Sequence, residues 1–271
     1  MKVGFIADIV GKPGRSMVKH HLPKVKKEYG LDLVIVNGEN ASHGSGLVPK
    51  NAKELFDSGA DVITGGNHTW GKKEILALFE SEPVIRPINY PEGVPGEGKI
   101  VLEIGGERVA VINLMGYFTM PPVENPFIYI KREIESLHKE GIKKIIIDFH
   151  AEATSEKRAL MHMLKSKVSA ILGSHTHVGT DDLTIEMGTC YVSDVGLTGC
   201  RDNVIGVKSE GVIHRFLTGL PYPRFDVPDK CKKIFQMIIF ELDKNGCKDA
   251  FKIKAYDFED PFISQKAFFE K

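Results

Sequence analysis

Five short runs of apolar residues, too rich in Val and Ile to leave either face polar, constrain this chain most: residues 2–7, 32–37, 61–64, 144–149 and 168–172. A strand without polar alternation is buried on both sides and needs a covering layer on each. Amphipathic stretches lie between the runs, at 16–29, 49–58, 127–139 and 155–165. The first carries Met17, Val18, Leu22 and Val25 at roughly helical spacing, interrupted by Pro23. The second opens on Pro49 and stops before Gly59, which suits a helix start and stop. Alternation of buried strands with such helices predicts an α/β layered fold. Two regions depart from it. Residues 100–104 and 108–113 flank Gly105 and Gly106, and residues 233–242 and 251–256 flank Lys244, Asn245 and Gly246; both read as β-hairpins. The expected fold class is therefore α/β with layered mixed β-sheets flanked by helices. Residues 83–98 and 115–125 read as loops. At 271 residues, with no visible linker or repeat, 1–271 is expected to form a single domain.

Composition excludes several classes. Hydrophobic residues at 42% and charged residues at 27% exclude a disordered or coiled-coil chain. Lys plus Arg and Asp plus Glu are both 36, so no global basic field holds nucleic acid, and no stable nucleic-acid partner is expected. No apolar run approaches the roughly 20 residues of a membrane helix, and residues 3–7 are too short for a secretory leader. A cytoplasmic protein is expected, and a homo-oligomer stays open. Cys190, Cys200, Cys231 and Cys247 form no C-x-x-C pair and are expected to be reduced thiols.

In open α/β sheets ligands bind beyond the carboxyl ends of the strands. Here those ends deliver Asp8, then Glu39 and Asn40, then Asn67 and His68, then His150, then His175 and His177. If the strands are parallel, these residues converge on one edge of one sheet. Each has a plainer reading alone: Asp8 and Asn67 as turn residues, His150 as a core histidine. Together they are oxygen and nitrogen ligand types, and His175 and His177, two apart in an extended segment, face one spot. His20, His21, His138 and His162, within or at the ends of predicted helices, read as solvated or structural, and His214, near a different loop, as structural. His43 follows the second strand-end loop and is a candidate substrate contact. The segment 11–16, with Gly11, Pro13 and Gly14, lacks Walker spacing; it reads either as a loop passing close to an oxyanion or as a turn into a helix.

The ordered motifs Asp8-Ile9-Val10, Gly38-Glu39-Asn40, Gly66-Asn67-His68-Thr69, His150 and Ser174-His175-Thr176-His177 resemble the calcineurin-like metallophosphoesterase superfamily, whose pattern is D-x-H, G-D, G-N-H-[DE], H and G-H-x-H. Val10, Glu39, Thr69 and Ser174 depart from it. Gly38-Glu39-Asn40-Ala41, Gly66 to Trp70 and Asp194 to Gly199 are similar to the YmdB-type branch of bacterial 2′,3′-cyclic-nucleotide phosphodiesterases.

That resemblance implies the calcineurin-like fold and two transition-metal ions per chain, with iron favoured and Mn, Zn or Mg as alternatives. Glu39 would bridge them, an anion between two repelling cations. Asp8, Asn40 and His177 would complete one site; Asn67, His150 and His175 would complete the other. A hydroxide held between the ions would attack the phosphorus, and His68 would act as the proton donor. The implied substrate is a small cyclic nucleotide, with Tyr117 and Phe118 as candidates to stack its base. A phosphomonoesterase or protein phosphatase with the same metals, and a metal-binding regulatory or RNA-binding module, are the alternatives.

Overall fold

The computed structural model describes residues 1–221 and 226–270. In chain order the elements are β1 (Lys2–Ile6), α1 (Gly11–Tyr29), β2 (Leu33–Asn37), α2 (Pro49–Asp57), β3 (Val62–Thr64), α3 (Ile75–Ser81), β4 (Lys99–Ile104), β5 (Glu107–Met115), α4 (Pro126–Lys139), β6 (Lys144–His150), α5 (Thr154–Leu164) and β7 (Ala170–Ser174). There follow β8 (Thr184–Glu186), β9 (Thr189–Val192), β10 (Gly199–Cys200), α6 (Ser209–Thr218), β11 (Lys233–Asp243), β12 (Gly246–Tyr256), β13 (Phe262–Lys266) and β14 (Phe268–Glu270).

The strands form two mixed sheets. One runs β13-β12-β11-β1-β2-β3, with β10 added beside β11; the other runs β14-β8-β9-β7-β6-β5-β4. β1, β2 and β3 are parallel neighbours in the first sheet. β5, β6 and β7 are parallel neighbours in the second. The expected convergence on one edge of one sheet is thus corrected: the five strand ends belong to two sheets packed face to face. Strand periodicity explains the packing. On β2, Val34 and Val36 enter an apolar layer with Met17, Leu22 and Leu55 of α1 and α2. The alternate residues Leu33 and Ile35 enter a second layer with Val109, Val111, Ile146 and Leu172 of the other sheet. A third layer joins the second sheet to α4 and α5 through Ile112, Ile147, Ile134 and Leu160. Helices, two sheets and helices make four layers.

Both expected hairpins form, β4–β5 and β11–β12. Residues 11–16 open α1, so they are helix rather than an isolated loop, and Pro23 is accommodated inside that helix. His214 lies in α6 rather than beside a loop. The expectation of four reduced thiols is overturned: Cys200 and Cys231 are disulfide-bonded, their Cα atoms 5.6 Å apart. Their spacing carries no signal; the antiparallel pairing of β10 with the start of β11 brings them together. Cys190 and Cys247 are free and buried.

Candidate metal centre

At the carboxyl rim of both sheets the apolar layer between them gives way to a polar cluster. Asp8, Glu39, Asn40 and His150 are all at least 98% buried there. Asp8 follows β1, Glu39 and Asn40 follow β2, Asn67 follows β3, His150 ends β6, and His175 and His177 follow β7. All seven residues, with His68, meet at this rim in two adjoining groups.

The first group surrounds the His150 ring. Its Nε2 lies 2.8 Å from Asn67 Oδ1, 3.1 Å from His175 Nδ1 and 3.3 Å from Glu39 Oε1. The donor atoms of Glu39, His150 and His175 all lie within 4.8 Å of one another. The second group holds Asp8, Asn40 and His177. Asn40 Nδ2 lies 3.2 Å from His177 Nε2, which is 3.7 Å from Asp8 Oδ1. Asn40 Nδ2 also donates to Glu39 Oε1 at 3.0 Å, linking the groups. Asn40 therefore presents its amide nitrogen inward and its Oδ1 to His68 Nδ1 at 2.8 Å. A half-turn of the amide exchanges the two atoms and points the oxygen inward.

Backbone geometry supports the convergence at some cost. Asp8, His175 and His177 adopt positive φ of 38°, 101° and 65°, a region that non-glycine residues rarely occupy. Asp8 Oδ2 accepts the amide of His175 at 2.8 Å and so pins the turn. Asp194 Oδ2 accepts both the amide and the hydroxyl of Thr176, and Lys157 Nζ neutralises it at 2.9 Å from inside the fold. Gly66 allows the close approach: a Cβ there would fall 2.3 Å from Glu39 Oε2 and 2.4 Å from His150 Nε2.

The electrostatics are those of a strained, cation-seeking site. Burial pushes the Asp8 carboxyl above its ordinary range, partly opposed by His177 and His150. Burial acts likewise on Glu39, but His150 and His68 hold it well below the usual carboxylate range. Burial disfavours a charged His150, yet Glu39, Asp8 and Asp148 raise it to about 9. Burial and the neighbouring His150 depress His175 to about 3. One proton is thus unevenly shared between two facing imidazoles.

The residues fit a bound cation on the structure's own terms. Asp8 Oδ1 is buried with no hydrogen-bond partner, and such orphaned buried groups are rare. Lone-pair atoms of two histidines, an amide and a carboxylate crowd one point, where a divalent ion would meet them. Mixed nitrogen and oxygen donors suit iron, manganese or zinc better than calcium.

His68 lies at the mouth. Its amide donates to Glu39 Oε2 at 2.8 Å, and its Nδ1 is 3.2 Å from Glu39 Oε1. The hydrogen bond to Glu39 raises its pKa against burial, while 44% of the side chain meets solvent. Tyr117 and Phe118 are exposed, and the carboxylate of Glu156 accepts both their amides. His43 lies instead with Lys12, Lys208 and Val227 around a separate cavity of about 290 Å³. A cavity of about 700 Å³ sits at the opposite ends of β5 and β6 near Glu107 and Lys144 and includes none of the clustered residues.

Sequence reasoning missed Glu152, whose Oε2 lies 3.1 Å from His175 Nε2. It also missed Asp148, Lys157 and Asp194 as supports. Asp148 is two residues before His150 in one strand, so the two share a face; that parity was the available signal.

A family profile described as YmdB-like protein matches residues 5–255. The chain is 45% identical over 259 residues to a 2′,3′-cyclic-nucleotide 2′-phosphodiesterase of Bacillus subtilis strain 168, covering 94% of this chain and 96% of the relative. It is 37% identical over 257 residues to a putative phosphatase/phosphodiesterase of Mycoplasma pneumoniae, covering 92% and 90%. Among solved structures, one of a hypothetical protein from Thermus thermophilus superposes with a TM-score of 0.86 at 41% identity, covering 98% of this chain and all of the other. A Mycoplasma pneumoniae phosphatase structure gives 0.88 at 35%, covering 94% and 93%. A structure described as a putative 5′-nucleotidase from Staphylococcus aureus, at 12% identity and a TM-score of 0.59 over 54% of its length, shares the fold alone.

Proposed function

The chain belongs to the YmdB-like protein family, and from that premise we propose that it is a metal-dependent phosphodiesterase acting on small 2′,3′-cyclic nucleotides, with residues 1–271 as one domain. The observation that carries the reading is the donor cluster at the shared rim: Glu39, His150 and His175 within 4.8 Å, beside the buried Oδ1 of Asp8, which has no hydrogen-bond partner. In this reading Asn67, His150 and His175 hold one ion, Asp8, Asn40 and His177 the other, and Glu39 lies between them. Iron is the favoured metal, with manganese, zinc or magnesium as alternatives.

Two cations bound there would supply charge for the phosphate oxygens and a nucleophile at neutral pH. The protein supplies the rest. Buried Glu39 and Asp8 keep the site anionic enough to hold the ions. His68 is the proton donor. Turning the Asn40 oxygen toward an ion would set its Nδ2 donating to His68 Nδ1, which leaves the His68 proton on Nε2, to be handed to the departing ribose oxygen. A cyclic diester carries one negative charge, so a chain of zero net charge needs no basic groove to bind it.

The decisive assay sets 2′,3′-cyclic nucleotides against linear diesters and phosphomonoesters, with protein reconstituted in iron or manganese. The expected result is fastest turnover on the 2′,3′-cyclic compounds. Faster turnover of monoesters, or none on any diester, overturns the proposal.

A further inference from the structure

The sequence holds Ser174 where the superfamily pattern has glycine, and the structure shows what that hydroxyl touches. β6 and β7 end in register, His150 opposite Ser174. Ser174 Oγ lies 2.6 Å from Asp148 Oδ1 on one side and 3.0 Å from His150 Nδ1 on the other. All three residues are fully buried. The direction of the chain of hydrogen bonds follows from what else meets Asp148. Asn37 Nδ2 donates to its Oδ2 at 2.9 Å, and the Thr64 hydroxyl donates to the same atom. The Asn37 amide is fixed in that sense, because its Oδ1 accepts the Glu39 amide and its Nδ2 also reaches the Gly65 carbonyl. Asp148 thus sits among donors, as an acceptor-only carboxylate requires. Ser174 gives its single proton to Asp148 and keeps a lone pair, which can only accept from His150 Nδ1–H.

We propose that Ser174, backed by Asp148, is a positioning residue: it holds the His150 proton on Nδ1, away from the cluster, and so turns the Nε2 lone pair toward Asn67, His175 and Glu39. His150 is fully buried, so bulk solvent cannot do this instead. A carboxylate behind a histidine ligand fixes its tautomer and strengthens it as a donor; here the carboxylate acts through an interposed hydroxyl. The inference rests on His150 being a ligand, as proposed above.

Two measurements test it. In zinc-loaded wild-type protein labelled with ¹⁵N-histidine, NMR should show the His150 proton on Nδ1 and slow to exchange. A proton on Nε2 overturns the inference without any variant. Equilibrium dialysis with manganese then compares Ser174→Ala and Ser174→Thr with wild type. The alanine variant should bind one of two ions about 10- to 100-fold more weakly and leave the other unchanged, while threonine keeps the hydroxyl and wild-type affinity. Wild-type affinity for both ions in Ser174→Ala overturns the inference, as does equal weakening by Ala and Thr. Should wild-type protein bind no manganese or zinc, it is the metal reading that fails.

Discussion

His150 Nε2 faces His175 Nδ1 across 3.1 Å, two imidazole nitrogens that can share no more than one proton. Against burial, Glu39, Asp8 and Asp148 raise His150 to about 9, while burial and the neighbouring His150 depress His175 to about 3. A cation between them replaces that proton, so metal uptake must expel it. Below pH 9 the metal-free His150 is protonated, and the apparent affinity of its site should rise about tenfold per pH unit between 7 and 8. Calorimetric titration in buffers of different ionisation heat should show proton release. Binding without release, or no binding at all, contradicts the arrangement.

Glu39→Gln keeps the shape and removes the charge proposed to lie between the ions. Occupancy of at least one site should fall and most diesterase activity with it, while circular dichroism stays near wild type. Asp8→Asn should loosen mainly one ion. Two tightly held ions with near-normal turnover in Glu39→Gln would show that Glu39 does not bridge.

His68→Ala should retain its metals and lose about 10²- to 10⁴-fold in rate on cyclic nucleotides, the usual range for a lost general acid. A nitrophenyl diester, whose leaving group needs no proton, should suffer less. Equal losses on both substrates would point to phosphate binding instead.

Lys252 is 1% exposed, and its Nζ has no hydrogen-bond partner. Burial, with Lys254 adding, depresses its pKa from 10.5 to about 8. At pH 7 the fold therefore carries a desolvated charge costing on the order of 3 kcal/mol. Lys252→Met should raise stability in urea melts at pH 7. The unfolded chain binds more protons between pH 8 and 10.5, so wild-type stability rises through that window and the variant's advantage shrinks there. A constant difference across that range would argue against a charged Lys252.

The strand runs and strand-end residues were legible because burial on both faces and the carboxyl-end rule act locally on sequence. Asp8, Glu39 and His150 each stand directly at such an end. More than one mixed sheet was legible from the two hairpins, but not which strands share a sheet: β6 and β7 look like continuations of β1 to β3 until β11, far along the chain, pairs with β1 and fills that edge. The short strands β8, β10 and β14 owe their form to partners rather than to propensity. The bond between Cys200 and Cys231 depends on another late pairing, of β10 with the start of β11. Asp148 and Ser174 were hidden because their value lies in each other, a contact 26 residues apart.

The two-sheet rim has one more consequence. Asp8, Glu39, Asn40 and Asn67 stand on one sheet, and His150, His175 and His177 on the other. Anything gripping both sets binds only the docked arrangement, so it acts as a rivet and its grip enters the global unfolding equilibrium by mass action. Free ligand at 100 times its Kd is worth about 2.7 kcal/mol in that linkage. Metal loading should slow amide exchange most at the strand ends where β2 and β3 meet β6 and β7, before any substrate is present.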